Sequence, residues 1–199
     1  MQLNRRAGGT ARGFTLVELM VTVSLAALLA SLAIPAFRTW IANTKVRASA
    51  ESVTSQLRLA QAEAVKRYRR VVLYRADASN CSTAPSVSTS GNTWVIKTIA
   101  LYTGDTEEVA QCSNLSDTAA TTTIGGPAAV CFGSNGWPIA VDNPNIGGTA
   151  CTLPVGNVVR FPVSATGSDR SLQANVSIGG AVRMCDSNKT YSTDNPDGC

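Results

Sequence analysis

The sequence predicts an α+β fold: one long N-terminal helix, transmembrane in its first half and amphipathic in its second, packed on an antiparallel β-sheet domain. Three observations predict it. Residues 19 to 37 carry no charge, close to the roughly 20 residues that a helix needs to cross a bilayer. Val46, Ala50, Val53, Leu57, Ala60 and Ala64 then recur at spacings of four and three among charged neighbours, the mark of one apolar helix stripe. After Arg70 the pattern shifts to short β-branched runs bounded by Gly, Pro, Asn and Ser, which read as strands and turns.

The first thirteen residues, MQLNRRAGGTARG, are short, basic and polar. A basic flank ahead of an apolar span favours a cytoplasmic N-terminus. A secretory signal peptide would show a shorter apolar run followed by a small-residue cleavage site. Here the small-residue junction, Gly13-Phe14, precedes the run, so cleavage there removes the charges and keeps the helix. Glu18 is the anomaly of the apolar segment, because a carboxylate at a membrane edge is costly and tends to be functional. Either it sits in the wet interface, or it neutralises the free amine that cleavage creates on Phe14 of a neighbouring subunit. Such a pairing would set axial register, since either charge left alone in an apolar setting is expensive.

The helix continues through RTWIANTKVRASAESVTSQLRLAQAEAVKRYRR. Lys45, Arg47, Glu51, Gln56, Arg58, Gln61 and Glu63 occupy the faces away from the stripe. One helix of about 55 residues, kinked near Pro35, accounts for the segment and would be about 80 Å long. Lys66-Arg67-Tyr68-Arg69-Arg70 closes it. Cations at a helix C-terminus complement the macrodipole, and the same run with its aromatic could contact a nucleic-acid strand.

The strand candidates are Val71–Tyr74, Thr93–Leu101, Ala128–Phe132, Val158–Phe161, Leu172–Ile178 and Ala181–Met184. They suggest six to eight strands in all, with loops over residues 76–91 and 112–123. Asn175 to Arg183 reads as a hairpin turning at Gly179-Gly180, a pair tolerant of positive φ. The domain plan is therefore leader 1–13, transmembrane helix half 14–40, amphipathic half 41–70 and a β-rich domain 71–199.

Six cysteines, Cys81, Cys112, Cys131, Cys151, Cys185 and Cys199, lie far apart with no C-x-x-C pair, and the chain has no histidine. That excludes ordinary zinc spacing and predicts disulfides in an exported domain. Fifteen pairings are possible. Sequential pairing is the expectation, with Cys185–Cys199 stapling a polar tail. Without histidine there is no Ser-His-Asp or Cys-His constellation, and no Walker loop occurs. No enzyme, cofactor or metal is expected. The formal charge of +4 falls to +1 once Arg5, Arg6 and Arg12 leave with the leader, 14 cations against 13 acids, so no global field attracts nucleic acid.

Gly13-Phe14-Thr15-Leu16-Val17-Glu18-Leu19 resembles the class III signal of type IV pilins and type II secretion pseudopilins. The resemblance implies cleavage after Gly13 by a prepilin peptidase, N-methylation of Phe14, an assembly role for Glu18 and a helix-kinking proline at Pro35. Val130-Cys131-Phe132-Gly133-Ser134-Asn135-Gly136-Trp137-Pro138 resembles the F-x-x-x-G-x-P element of the GspH/FimT group of minor pilins and pseudopilins. Gly180-Ala181-Val182-Arg183 is similar to that group's G-R-x-R hairpin, with Ala181 in place of the first arginine.

A pilin-like subunit follows as the expectation, similar to FimU/FimT-type minor pilins. It would be single-pass in the inner membrane before assembly, and in a periplasmic and cell-surface filament afterwards. The implied partners are the prepilin peptidase, major and other minor pilins and the inner-membrane assembly platform. Two alternatives stand beside a pilus-priming structural subunit. One is a DNA-binding minor pilin using Arg183, Lys189, Lys66, Arg67, Arg69 and Arg70. The other is a type II secretion pseudopilin, against which the six cysteines weigh.

Overall fold

The computed structural model describes residues 13–77, 81, 85–115, 121–153 and 156–199. It divides into one unit ending at Arg38 and another from Thr39 to Cys199. Helix α1, Leu16–Arg67, contributes to both. The expected leader, residues 1–13, lies outside the described residues except for Gly13.

In the first unit every described residue is exposed. The Thr15 hydroxyl accepts from the Glu18 amide at 3.2 Å and the Thr15 carbonyl from Leu19 at 3.1 Å. Thr15 is therefore the N-cap, with Glu18 at the third helical position, the T-x-x-E spacing of a capping box. Three hydroxyls inside the apolar half bond back to their own helix: Thr22 to Leu19, Ser24 to Met20 and Ser31 to Leu28, at 2.7–2.9 Å. A helix surrounded by hydrocarbon must satisfy its polar groups internally in this way. Pro35 lies inside α1, which continues through it, although its ring nitrogen cannot donate to the Ser31 carbonyl.

In the second unit the stripe Val46, Ala50, Val53, Leu57, Ala60 and Ala64 is fully buried. It packs on two antiparallel sheets rather than one. The first contains β1 (Val71–Ala76), β2 (Thr93–Thr98), β3 (Val109–Asn114), β5 (Ala129–Phe132) and β6 (Pro138–Ile139), ordered β3-β2-β1-β5-β6. The second contains β4 (Thr122–Ile124), β7 (Val158–Ala165), β8 (Leu172–Ser177) and β9 (Val182–Asp186), ordered β4-β7-β8-β9. The inner faces share one core with the helix, where Trp94 of β2 meets Phe161 of β7 at 5.8 Å between ring centroids.

The two sheets differ in burial. β7 alternates buried and exposed residues, as a strand with one wet face must. β1 and β2 are buried at every residue, because their outer face carries a second apolar cluster of Val72, Tyr74, Val95, Ile99, Cys131 and Ile146 under loops. Cys131–Cys151 and Cys81–Cys112 staple those loops, and Val141 and Cys151 exchange backbone bonds at 2.9 and 3.0 Å. Cys185–Cys199 closes the tail, so the three bridges run in chain order.

Arg75 and Lys97 are charged, yet they lie in these strands and are buried. The Arg75 guanidinium donates to the carbonyls of Gly91 at 3.1 Å and Ile124 at 2.8 Å, and sits 5.5 Å from the centre of the Trp94 ring. Burial works against its charged form, and the carbonyls and ring face compensate.

The strands depart from expectation in number and extent: β1 runs on to Ala76, β7 to Ala165 and β9 to Asp186, past the expected ends at Tyr74, Phe161 and Met184. Nine strands form among the described residues, not six to eight. Of residues 112–123, expected as a loop, 112–114 instead finish β3 and 122–123 begin β4, while 116–120 lie outside the described residues. Thr93–Leu101 stops at Thr98, because Ile99 to Glu108 turns back to β3. The helix ends at Arg67 in a Schellman motif, with the Tyr68 amide on Val65 and the Arg69 amide on Ala64. Tyr68 holds φ +50° at the position where glycine is usual.

Candidate functional site

At the processing junction, Gly13 has no neighbour that a β-carbon would meet within 4 Å, and Phe14 is 85% exposed. The fold therefore leaves the junction open and does not itself demand glycine there. Glu18 is exposed on the first turn of α1, where a carboxylate favours the helix dipole. Thr15, whose hydroxyl caps that turn, has no role in the expectations above. Its spacing to Glu18 was the available signal.

The two later motifs come together at the far end of the helix. Phe132 is buried at the end of β5, and Pro138 pairs with it across a tight turn that Gly136 makes at φ +79°. The β8–β9 hairpin turns at Gly179-Gly180 as expected, with Gly180 at φ +83°. The Gln61 amide nitrogen of α1 donates to the Gly136 carbonyl at 2.9 Å and to the Gly180 carbonyl at 2.7 Å. A β-carbon on Gly180 would stand 3.1 Å from the Trp137 ring, so Trp137 lies against the hairpin backbone while remaining 54% exposed. Periodicity puts Gln61, and Gln56 likewise, on the faces away from the stripe. The first is the clamp of this junction and the second is buried.

Of the basic residues considered for DNA contact, all but Arg70 are engaged within the protein. Arg67 pairs with Glu63 and Glu108, both at 2.8 Å, and Lys66 approaches Glu63 at 3.4 Å. Arg69 pairs with Asp105 and reaches the Thr106 carbonyl. These bonds fasten the β2–β3 turn to the helix end. Lys97 adds a pair to Glu107, which also accepts from Asn145. Arg183 donates to the Gly198 carbonyl at 3.0 Å and lies over the Tyr191 ring, and Lys189 pairs with Asp197 at 2.7 Å. These two hold the C-terminal loop, a different anchor from the one the helix cations serve. Arg70 makes no ion pair among the described residues.

The acids report the same arrangement. The Arg67 hydrogen bond holds Glu63 below the usual carboxylate range. The Leu101 backbone amide, joined by Arg69, does so for Asp105. Burial raises Glu107, but the hydrogen bonds from Lys97 and Asn145 and the Lys97 charge outweigh it. Lys189 lowers Asp197. Among the described residues no group of three or more Cys, Asp or Glu could hold a metal ion.

A model of the family described as type II transport protein GspH matches residues 49–180, and a model of the prokaryotic N-terminal methylation motif matches residues 10–34. No curated protein matches the chain. Among solved structures the chain is similar to the type IV minor pilin FimU of Pseudomonas aeruginosa PAO1, at 18% identity and a TM-score of 0.51, covering 75% of this chain and 96% of that one. A second crystal form of FimU aligns at 16% identity and a TM-score of 0.47, covering 73% and 98%. At such identity the first likeness speaks for the fold. The chain belongs to the family described as type II transport protein GspH and carries the prokaryotic N-terminal methylation motif at its head.

Proposed function

We propose that the chain is a structural minor pilin, cut after Gly13, methylated at Phe14 and built into a type IV pilus, where it helps to prime assembly. The observation that carries this reading is the first half of α1: apolar, wholly exposed, self-satisfied in its hydroxyls and preceded by an open junction. Such a surface needs lipid before assembly and other helices after it. On this reading residues 1–13 are the leader, 14–40 the assembly half, 41–70 the domain half and 71–199 the displayed domain. Glu18 neutralises the Phe14 amine of a neighbour, and Pro35 adjusts the helix path. The pseudopilin alternative differs in the machine joined, and the three disulfides favour the pilus.

Mass spectrometry of the mature chain should find methylated Phe14 at the N-terminus. Gly13→Trp should remain uncut, and Glu18→Val should be cut but fail to enter filaments. A working form that retains Met1, or normal entry of Glu18→Val, overturns the corresponding step. DNA capture is disfavoured, because Lys66, Arg67, Arg69, Arg183 and Lys189 already hold acids or carbonyls within the fold, and a phosphate would have to compete for them. In a gel-shift of the protein at low salt, no retention of duplex DNA is expected.

A further inference from the structure

Lys97, Glu107 and Asn145 meet on the outer side of the first sheet, one from β2, one from the β2–β3 turn and one from the loop after β6. Lys97 Nζ stands 2.6 Å from Glu107 Oε2, and the Asn145 side-chain amide donates to the same oxygen at 2.7 Å. Lys97 Nζ also donates to the Asn145 backbone carbonyl at 3.0 Å. The lysine and glutamate side chains are 10% and 15% exposed, beside the apolar cluster that contains Val95, Ile99 and Ile146. The loop fixes Asn145 from its own side. The Asn145 amide donates to the Asn143 side chain at 3.1 Å, its φ is +55°, and Pro144 and Ile146 are buried on either side of it.

We propose that Lys97 and Asn145 join through a side-chain amide, Nζ to Cγ, with Glu107 carrying the protons. An ion pair needs only Lys97 and Glu107. It does not account for a carboxamide set on the same carboxylate oxygen. A carboxylate only accepts, so Nδ2 is the atom that faces it and Oδ1 is turned away. One oxygen therefore lies within hydrogen-bond reach of both the nitrogen that attacks and the nitrogen that leaves. That is the placement needed by a group that acts first as base and then as acid. At ordinary hydrogen-bond angles the two nitrogens are roughly 4–5 Å apart, and torsions of the long lysine side chain bring Nζ to the ~3–3.5 Å of attack on Cγ.

The exchange is a transamidation, and the geometry is that of its reactants. The Glu107 carboxylate takes one proton from the Lys97 ammonium, which frees the nitrogen lone pair. Nζ then bonds to Asn145 Cγ. Glu107 returns its proton to Nδ2 as the Cγ–Nδ2 bond breaks. A second proton from Nζ follows the leaving group, which departs as ammonium. Glu107 ends as the carboxylate it began, beside the new amide N–H, and nothing is oxidised or reduced. The bond ties β2 to the loop that Cys131–Cys151 also staples, and it persists where that disulfide is reduced. It does not depend on the filament reading above.

The test is the mass of the full-length chain purified in detergent. After complete disulfide reduction it should be lighter than the sequence of the isolated form requires by one ammonia, about 17 Da. Proteolysis after glutamate then separates Lys97 from Asn145, since Glu107 and Glu108 lie between them. In the wild type the fragments on either side should stay joined after reduction. In Glu107→Gln and Lys97→Arg the ammonia should be retained and the fragments should part, with no thiol open to alkylation before reduction as the check that the domain has folded. A wild-type chain of full mass overturns the inference. A lightened chain whose fragments part marks ring closure at an asparagine instead and overturns it too, as does joining that persists in Glu107→Gln.

Discussion

Helix α1 places two kinds of hydrophobic surface in one element. Leu25, Leu28, Leu29 and Leu32, in its first half, are all exposed. Val46, Ala50, Val53, Leu57, Ala60 and Ala64, spaced among charges in its second half, are wholly buried. The greasier half makes no core, and the more polar half makes the core of the domain. A hydrophobic total therefore says which solvent a helix prefers, and only the angular pattern says what it packs on. Where every face is apolar there is nothing to orient the helix within its own chain, and its partners must come from lipid or other chains.

The sharpest way to break that contrast is a matched pair of truncations. Leu57→Ala should cost about 2–5 kcal/mol of domain stability, because it opens a cavity against both sheets, whereas Leu28→Ala should cost less than about 0.5 kcal/mol. Thermal melts of the full chain in detergent read both, and equal effects would void the distinction. Replacing Cys131 and Cys151 together by alanine should cost about 2–5 kcal/mol. The loss should be concentrated in the outer cluster, so that hydrogen exchange quickens around residues 139–151 before it quickens along α1.

Gln61→Ala should cost about 1–3 kcal/mol, since two carbonyls lose their shared donor. Gln61→Glu should cost more, because it aims a carboxylate at them. Acid should act more gently. Glu63, Asp105, Glu107 and Asp197 all titrate lower in the folded chain than when unfolded. The stability they supply is complete above about pH 5 and is lost as pH falls through about 4 and below. Melting temperature should fall from pH 7 to pH 3, with hydrogen exchange quickening first at the β2–β3 turn, and Arg69→Ala should flatten the fall. The smallest effect belongs to Glu51→Ala, which breaks an exposed pair with Arg47 and should change stability by less than about 0.5 kcal/mol.

The contrast within α1 also marks what could be read before any coordinates. The buried stripe, the apolar half and the Gly179-Gly180 hairpin were legible because each depends on local spacing. β3 and β4 were not. VAQCSN is an edge strand half open to water, and TTI is three residues long, so neither offers a run or an alternation that rises above a Ser/Thr-rich loop. Charge misled in the same way at Arg75, where the expected strand stops at Tyr74, because its compensating carbonyls come from residues 16 and 49 positions away. At the functional end, the leader was legible as a local string. That Gly136 and Gly180 meet through Gln61 was not, because their contact is made by a residue 75 and 119 positions distant.

Arg75 has a consequence for how the domain comes together. Its guanidinium cannot shed its proton to ease dehydration, so β1 gains little from drying until the Gly91 and Ile124 carbonyls are in place to receive it. One of those carbonyls precedes β2 and the other ends β4, in different sheets. A half-built domain with only the first sheet closed over the helix would keep the Gly91 carbonyl and the Trp94 ring but leave the guanidinium short of its Ile124 acceptor, so the second sheet completes its satisfaction.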